Sequence, residues 1–153
     1  MSTLNFTIEI EAPKEKVWDT MLGQETYKQW TAAFHEGSSY EGSWDEGSTI
    51  RFIGPDENGK AGGMLGRIAR NVPYEYVSIE LLGEVVDGKD DTESDEAKSW
   101  AGSHENYAFS EKDGVTTLTI ELDSDGISDE MKQMFAGMWP PALAKLKELA
   151  EAA

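Results

Sequence analysis

The chain has 153 residues, of which 30 are acidic and 13 basic, so its formal net charge at pH 7 is −17. This length suits one domain over residues 1–153, and charge of this sign repels nucleic-acid phosphates and anionic membrane surfaces. The absence of cysteine excludes disulfides, thiol nucleophiles and thiolate metal sites. Without a basic, apolar leader or a long apolar run, the sequence predicts a soluble cytoplasmic protein.

The N-terminal part predicts one strand followed by two short helices. Apolar and polar residues alternate from Leu4 to Ile10, which is typical of a strand with one buried face. Pro13 then favours the start of a helix that ends at Gly23, with an apolar face formed by Val17, Trp18, Met21 and Leu22. A second short helix should carry Tyr27 and Trp30.

The middle of the chain predicts an antiparallel meander. Turn signals rich in Gly, Pro, Asn and Asp recur from residue 38, and they separate stretches at 49–53, 60–69, 74–82, 99–110 and 115–122. The clearest hairpin turns at Asp113-Gly114. Glycines at 62, 63 and 66 indicate bulges, or room beside the backbone.

Residues 84–98 interrupt this pattern with many carboxylates. The spacing of Asp91, Glu93 and Asp95 resembles part of a calcium loop, but the mid-loop glycine and the closing glutamate are missing. The composition therefore favours a solvated, mobile surface loop over a metal site, and we expect no metal or tightly bound cofactor.

The C-terminal stretch from Ile127 to Ala150 predicts one long helix that covers a face of the sheet. Ser128 suits its N-cap, while Pro140 and Pro141 predict a kink or break near Trp139. The first half carries an apolar stripe, which is either an ordinary core face or a ligand-lining face, at Ile127, Met131, Met134 and Met138, flanked by Phe135 and Trp139.

Several motifs occur in the order found in one family. They are Ala12-Pro13-x-x-x-Val17-Trp18, Tyr27-x-x-Trp30, Gly62-Gly63-x-x-Gly66-Arg67-Ile68-Ala69, Val72-Pro73-Tyr74 and Gly137-Met138-Trp139-Pro140. Together they resemble the START-like (SRPBCC) superfamily, and most closely its branch named after the C-terminal domain of the activator of the heat-shock-protein-90 ATPase. The resemblance implies an α+β helix-grip fold of the START and birch-pollen-allergen type. In that fold a curved antiparallel sheet wraps around a long C-terminal helix, and two short helices follow the first strand.

The resemblance also implies a cavity between sheet and helix that holds a small hydrophobic or amphipathic molecule. Trp30 and Trp139 are then expected at the mouth of this cavity. Carried onto this sequence, the lining would comprise Met21, Trp30, Phe34, His35, Phe52, Met64, Tyr76, Tyr107, Met131, Met134, Phe135 and Met138.

Two other classes of function stay open. One is a protein-interaction module that modulates a chaperone ATPase or another partner through the acidic surface or a sheet edge. The other is a cyclase- or hydrolase-like enzyme with His35 or His104 as general base, the latter near Glu105 or Tyr107. Enzyme motifs such as a nucleophile elbow, a zinc helix or a phosphate loop are missing.

Two arginines have alternative interpretations. Arg51 and Arg67 lie in predicted strands, where a guanidinium facing a cavity would bind a ligand carboxylate. The many surrounding acids favour surface ion pairs instead.

Overall fold

The computed structural model describes residues 2–32, 37–55, 61–124 and 129–152. Within these residues the chain forms eight strands and four helices. In chain order they are β1 Ser2–Ile10, α1 Lys14–Leu22, α2 Gln24–Thr31, β2 Ser39–Gly42, β3 Thr49–Pro55, β4 Ala61–Val72, β5 Tyr76–Val86, β6 Lys89–Asp91, α3 Asp95–Trp100, β7 His104–Lys112, β8 Val115–Ser124 and α4 Asp129–Glu151.

The strands form one curved antiparallel sheet. Its order is β1-β8-β7-β5-β4-β3-β2, and the short β6 pairs with the end of β5. The β4–β5 register shifts twice, between Leu65 and Gly66 and again between Ile68 and Arg70. Irregularities of this kind bend a strand and increase its twist. The predicted helix-grip architecture is therefore confirmed, with α4 laid across the bent sheet.

The main core lies between one face of this sheet and the layer formed by α1, α2 and α4. Alternating strand residues point into it, as Val77 and Ile79 of β5 show, because successive side chains of a strand point to opposite faces. The second half of α4 contributes Leu143 and Leu146, which are buried, and its first half leaves Met134 about 50% exposed. Each large apolar side chain that is fully buried stabilises the fold by about 1.5–3 kcal/mol.

The segment predicted as a mobile acidic loop is instead structured, so that prediction is wrong. The hydroxyl of Ser94 caps α3 by accepting from the Ala97 N–H at 3.1 Å, and an oxygen of Asp91 accepts from the Ser94 N–H at 3.0 Å. Ala97 is buried, as is Val85 of β5, against which α3 packs. Local capping and this small apolar contact order the segment, and Trp100 belongs to α3 rather than to a strand.

The long helix runs without a break through Pro140 and Pro141, so a break near Trp139, one of the two predicted alternatives, is wrong. A proline in a helix interior costs about 3 kcal/mol. Trp139 and Leu143 are buried on either side of the prolines, and this tertiary packing holds the helix together. The predicted cap Ser128 and the start at Ile127 lie outside the described residues. No helix in the described part of the chain is long and apolar enough to cross a membrane.

Gly63 gives a direct test of how closely β3 and β4 pack. It has φ +155°, and a Cβ at this position would lie 1.8 Å from the carbonyl oxygen of Phe52. The neighbouring Gly62 would place a Cβ 3.6 Å from the Val85 oxygen, an ordinary contact. We expect Gly63→Ala to lower the free energy of unfolding in urea by about 3 kcal/mol, and Gly62→Ala to change it by less than about 1 kcal/mol. Equal effects of the two substitutions would contradict this packing.

Candidate functional site

A cluster of aromatic rings fills the space between α2, α4 and the covered face of the sheet. Trp30 lies 5.4 Å from Tyr27 and 6.2 Å from Trp139, measured between ring centroids. Trp139 is also 6.2 Å from Phe6 of β1 and 6.3 Å from Tyr107 of β7. The indole of Trp30 donates to the Met21 carbonyl at 3.1 Å, which fixes the orientation of this ring. We call these five rings the aromatic cluster.

The row of rings continues from the aromatic cluster towards the edge of the sheet. Tyr27 lies 5.0 Å from Tyr40 and 6.2 Å from Phe52, again between ring centroids. Trp44 closes the row, at 5.4 Å from Tyr40 and 5.7 Å from Phe52. Most of these pairs are tilted or edge-on, the arrangements that the ring quadrupole favours. A continuous apolar surface therefore runs under the helices from β1 to β2.

The carboxyl group of Glu105 faces this apolar surface. Glu105 pairs in register with Ile79 of β5 and Leu122 of β8, and Tyr107 pairs with Val77 and Ile120. Glu105 and Tyr107 are two residues apart on β7, so both point to the face that α4 covers. The Tyr107 hydroxyl donates to Oε1 of Glu105 at 2.9 Å. Within the described residues no hydrogen bond reaches Oε2.

The surroundings of Glu105 change its protonation. Desolvation, opposed in part by the hydrogen bond from Tyr107, raises the pKa of Glu105 from 4.5 to about 7. Burial and then the nearby Glu105 charge raise the pKa of Tyr107 well above its usual range, and the same two causes raise the pKa of Tyr27. At neutral pH this carboxyl is therefore partly protonated, while both phenols remain neutral.

The predicted lining residues divide into several groups. Met21, Trp30 and Tyr107 are buried in the core, and the partly buried Phe52, Met64 and Phe135 pack against it. Met138 is partly buried and Met134 is about half exposed. Phe34 and His35 lie outside the described residues, as does the side chain of Met131.

Tyr76 is not brought together with the other predicted residues. It pairs with Ala108, one position from Tyr107 on β7, so it lies on the opposite face of the sheet. There the guanidinium carbon of Arg70 lies 5.8 Å from the centre of its ring. The sequence resemblance gave no orientation for individual strand residues, and the register now supplies it.

Glu105 is the residue that the sequence interpretation missed, except as a neighbour of His104. The signal was present, because Glu105 has the same strand parity as Tyr107. His104 pairs with Asp123 and Glu80 and lies on the opposite face, away from the aromatic cluster.

The two strand arginines form surface ion pairs, as their acidic surroundings indicated. Arg51 binds both carboxylate oxygens of Asp90, at 2.7 and 2.6 Å, and Arg67 binds Glu80 at 2.6 Å. Neither arginine is turned towards the aromatic cluster, because Arg51 and Arg67 alternate with the inward-facing Ile50, Phe52 and Ile68.

Two grooves in the described part of the structure lie on the outside of the helical layer. One is an open surface groove of about 510 Å³, lined by Pro13, Glu15, Lys16, Asp19, Thr20 and Thr26. The other, of about 120 Å³, is lined by Gln24, Lys28, Ser39 and Tyr40. Size alone does not make the first groove the better site, because it contacts none of the aromatic cluster. Among the described residues there is no group of three or more His, Asp or Glu side chains suited to a metal.

The architecture and this covered face define a helix-grip protein of the START-like type. The family model described as "Activator of Hsp90 ATPase homolog 1-like protein" matches residues 11–151. The chain belongs to this family, and the resemblance drawn from the sequence motifs is confirmed.

Solved structures share the fold at low sequence identity. The Aha1 dimer from Colwellia psychrerythraea matches with a TM-score of 0.69 and 18% identity, over 99% of this chain and 97% of that one. ChR145 from Cytophaga hutchinsonii matches with a TM-score of 0.74 and 18% identity, over 99% and 94% of the two chains. DynU16, from the dynemicin biosynthetic locus, matches with a TM-score of 0.72 and 15% identity, over 99% of this chain and 48% of that one. A search of curated proteins gives no significant match.

The raised pKa of Glu105 predicts a distinctive pH dependence of stability. The folded pKa of about 7 lies above the ordinary 4.5, so folding takes up a proton between these values. The contribution of Glu105 to stability is therefore fully present below about pH 4.5 and is lost as the pH rises through about 7. Relative to wild type, Glu105→Gln should gain on the order of 2 kcal/mol in unfolding free energy between about pH 4 and pH 8, after allowance for partial exposure.

Urea denaturation of both proteins across this pH range measures the gain. Asp123→Asn, which removes one charge from the opposite face of the sheet, is the matched control and should show no comparable trend. A difference between Glu105→Gln and wild type that stays constant with pH would show that Glu105 is not desolvated in the folded protein.

Proposed function

We propose that this protein binds a small hydrophobic or amphipathic molecule between the sheet and α4. The observation that carries the proposal is the Glu105–Tyr107 pair beneath the aromatic cluster, joined by a 2.9 Å hydrogen bond. Ligand sites in proteins are typically apolar, with a few polar groups that fix orientation. In this arrangement the rings supply apolar contact, and the carboxyl and phenol hold the polar end of the ligand.

The first half of α4 is suited to admit the ligand. Pro140 and Pro141 have no N–H, so the carbonyls of Ala136 and Gly137 lack their usual helical donors. Met134 is half exposed, while Leu146 and Ala150 are buried beyond the prolines. We infer that residues 129–138 move away from the sheet while Trp139 and the second half of α4 stay in place. The predicted residues Met134, Phe135 and Met138 would then line the entrance.

Binding is favoured over catalysis because of what this face brings together. Within the described residues it presents a carboxyl and phenols, while His104 lies on the opposite side of the sheet. A general base must also lie within hydrogen-bond distance of the substrate proton that it removes. The apolar surface is extensive and the polar pair is small, which is the balance of a binding site.

Indole resonances in a ¹H–¹⁵N NMR titration give a local test. Octyl compounds with amine, hydroxyl or carboxylate ends, used below their micelle concentrations, serve as probes. At least one should shift the Trp30 and Trp139 indole signals saturably, since these rings form the aromatic cluster. Trp18, which makes an edge-on contact with Tyr74 and a tilted contact with Phe109, away from the aromatic cluster, is the internal control.

Mass spectrometry of the denatured protein, freshly purified, complements the titration by detecting a ligand that is already bound. If no probe shifts Trp30 or Trp139 and no compound is released on denaturation, the proposal fails. If Trp18 shifts together with the other two indoles, the effect is general rather than local.

A second candidate function is modulation of a partner ATPase, favoured by the exposed carboxylates that β6 and α3 hold in place. Glu93 and Asp95 are exposed beside the Ser94 cap of α3. The family description makes an Hsp90 ATPase the partner to test. Asp90 and Asp91 are unsuitable for substitution, because one binds Arg51 and the other accepts backbone hydrogen bonds.

If this second function holds, the double variant Glu93→Gln/Asp95→Asn should weaken association with the chaperone several-fold at low salt, because surface charge steers association. The measurement is chaperone ATPase rate against concentration of this protein. The matched control is Glu15→Gln/Glu25→Gln, which removes two exposed carboxylates from α1 and α2. Identical curves for wild type and both variants would exclude the β6–α3 surface.

A further inference from the structure

Resting on the proposed binding function, we infer that the site selects ligands whose polar end is a protonated amine, and that Glu105 is the group that recognises it. The inference names the chemical class of the ligand. It follows from the placement of the Glu105 carboxyl beside the aromatic cluster, with Arg51 and Arg67 on the other face of the sheet.

The first step concerns the hydrogen-bonding capacity left on Glu105. A carboxylate accepts several hydrogen bonds through its two oxygens. Oε1 accepts one from Tyr107 at 2.9 Å, and Oε2 accepts none within the described residues. A ligand group that donates a hydrogen bond therefore finds an acceptor in Oε2 of Glu105. A ligand carboxylate would instead meet a like charge.

The second step concerns the rings. Tyr27, Trp30, Trp139 and Tyr107 are successive members of one cluster, with neighbouring centroids 5.4 to 6.3 Å apart. The negative faces of aromatic rings attract cations, and the attraction is stronger when the cation is desolvated. The rings and the Glu105 carboxylate therefore both favour a ligand whose polar end is positively charged. A hydroxyl group can donate to the carboxylate, but it lacks the positive charge that both the rings and the carboxylate attract.

The third step concerns Arg51 and Arg67, which could bind a ligand carboxylate if they faced the site. Arg51 and Arg67 lie on the opposite face of the sheet, where each binds a carboxylate at 2.6 to 2.7 Å. Anion binding at this site would require one of them to leave its partner and cross the sheet. The site is thus selective in both directions, since it attracts an ammonium group and repels a carboxylate.

Titration with octylamine, 1-octanol and octanoate tests the inference, because the three share one apolar chain. At about pH 8, above the pKa of Glu105, both the carboxylate and the ammonium are mainly charged. From the Trp30 and Trp139 shifts we expect octylamine to bind at least about tenfold more tightly than 1-octanol, and octanoate to bind least. Repeating the series in about 0.5 M NaCl screens attraction to the acidic surface.

Two variants locate the selectivity. Glu105→Gln should abolish the preference for amine over alcohol while the alcohol still binds, because the amide keeps the shape and loses the charge. Asp123→Asn removes one charge from the opposite face and should retain the preference. If Glu105→Gln does not fold, the side-chain carboxyl ¹³C signal of Glu105 in wild type decides: at equal occupancy it should shift more with octylamine than with 1-octanol, and equal shifts would overturn the inference.

The outcomes separate this inference from the proposed function. Equal affinities for amine and alcohol, or an amine preference that survives in Glu105→Gln, would overturn the inference and leave ligand binding intact. A lack of response to all three compounds would overturn both. An amine preference lost equally in Glu105→Gln and Asp123→Asn would show attraction by overall charge, which also overturns the inference.

Discussion

The packing of the second half of α4 onto β1 and α1 is the constraint on which the site depends. Leu143, Leu146 and Ala150 are buried there, so this part of the helix cannot leave without exposing the core. Polar contacts reinforce the packing, since the amine of Lys147 donates to the Glu9 carbonyl at 2.8 Å and Glu151 accepts from the Glu11 N–H at 2.8 Å. The position of Trp139, and with it the aromatic cluster, follows from this anchor.

The two halves of α4 have different energetic roles. Beyond the prolines, burial is nearly complete on the inner side, whereas Met134 before them is half exposed. Each proline removes a backbone hydrogen bond, so the helix is weakest where the buried Trp139 joins the two halves. A ligand that inserts beside Trp139 would replace ring contacts with its own and so needs to disturb only the weaker half. If the proposed binding function holds, this arrangement would combine a fixed second half of α4 with a first half that opens for the ligand.

Much of the fold was accessible from local patterns in the sequence. Alternation in the strands, Gly23 between two short helices and the apolar spacing of the last helix correctly predicted the first strand, the two short helices, the long meander and the last helix in this order, but not the short elements β2, β6 and α3. The structured segment around Ser94 was missed because its order depends on one side-chain cap and a small contact through Ala97. Neither feature is visible in the amino-acid composition, which is dominated by carboxylates and so favours a loop. The continuity of α4 was missed because tertiary burial on both sides of Pro140 and Pro141 overrides the local preference.

The candidate site was less predictable because strand parity fixes only which residues share a face, not which face is covered. Parity places Tyr107 with Glu105 and separates both from Tyr76 and His104. Only the register with β5 and β8 shows that the Glu105 side is the covered one. A family resemblance names a cavity but orients none of these side chains.

The presence of an acid at position 105 is consistent with a role in binding. A carboxyl in this environment is desolvated, and its pKa is raised to about 7. An apolar residue of similar size would avoid this cost, because replacing buried charged groups by packed hydrophobic ones is often neutral or stabilising. Tyr107 offsets only part of the cost, since it supplies one hydrogen bond to a group that accepts several. A ligand that donates a hydrogen bond and carries a positive charge would offset the rest of the desolvation cost. The buried carboxyl that destabilises the protein alone would then stabilise its complex with that ligand.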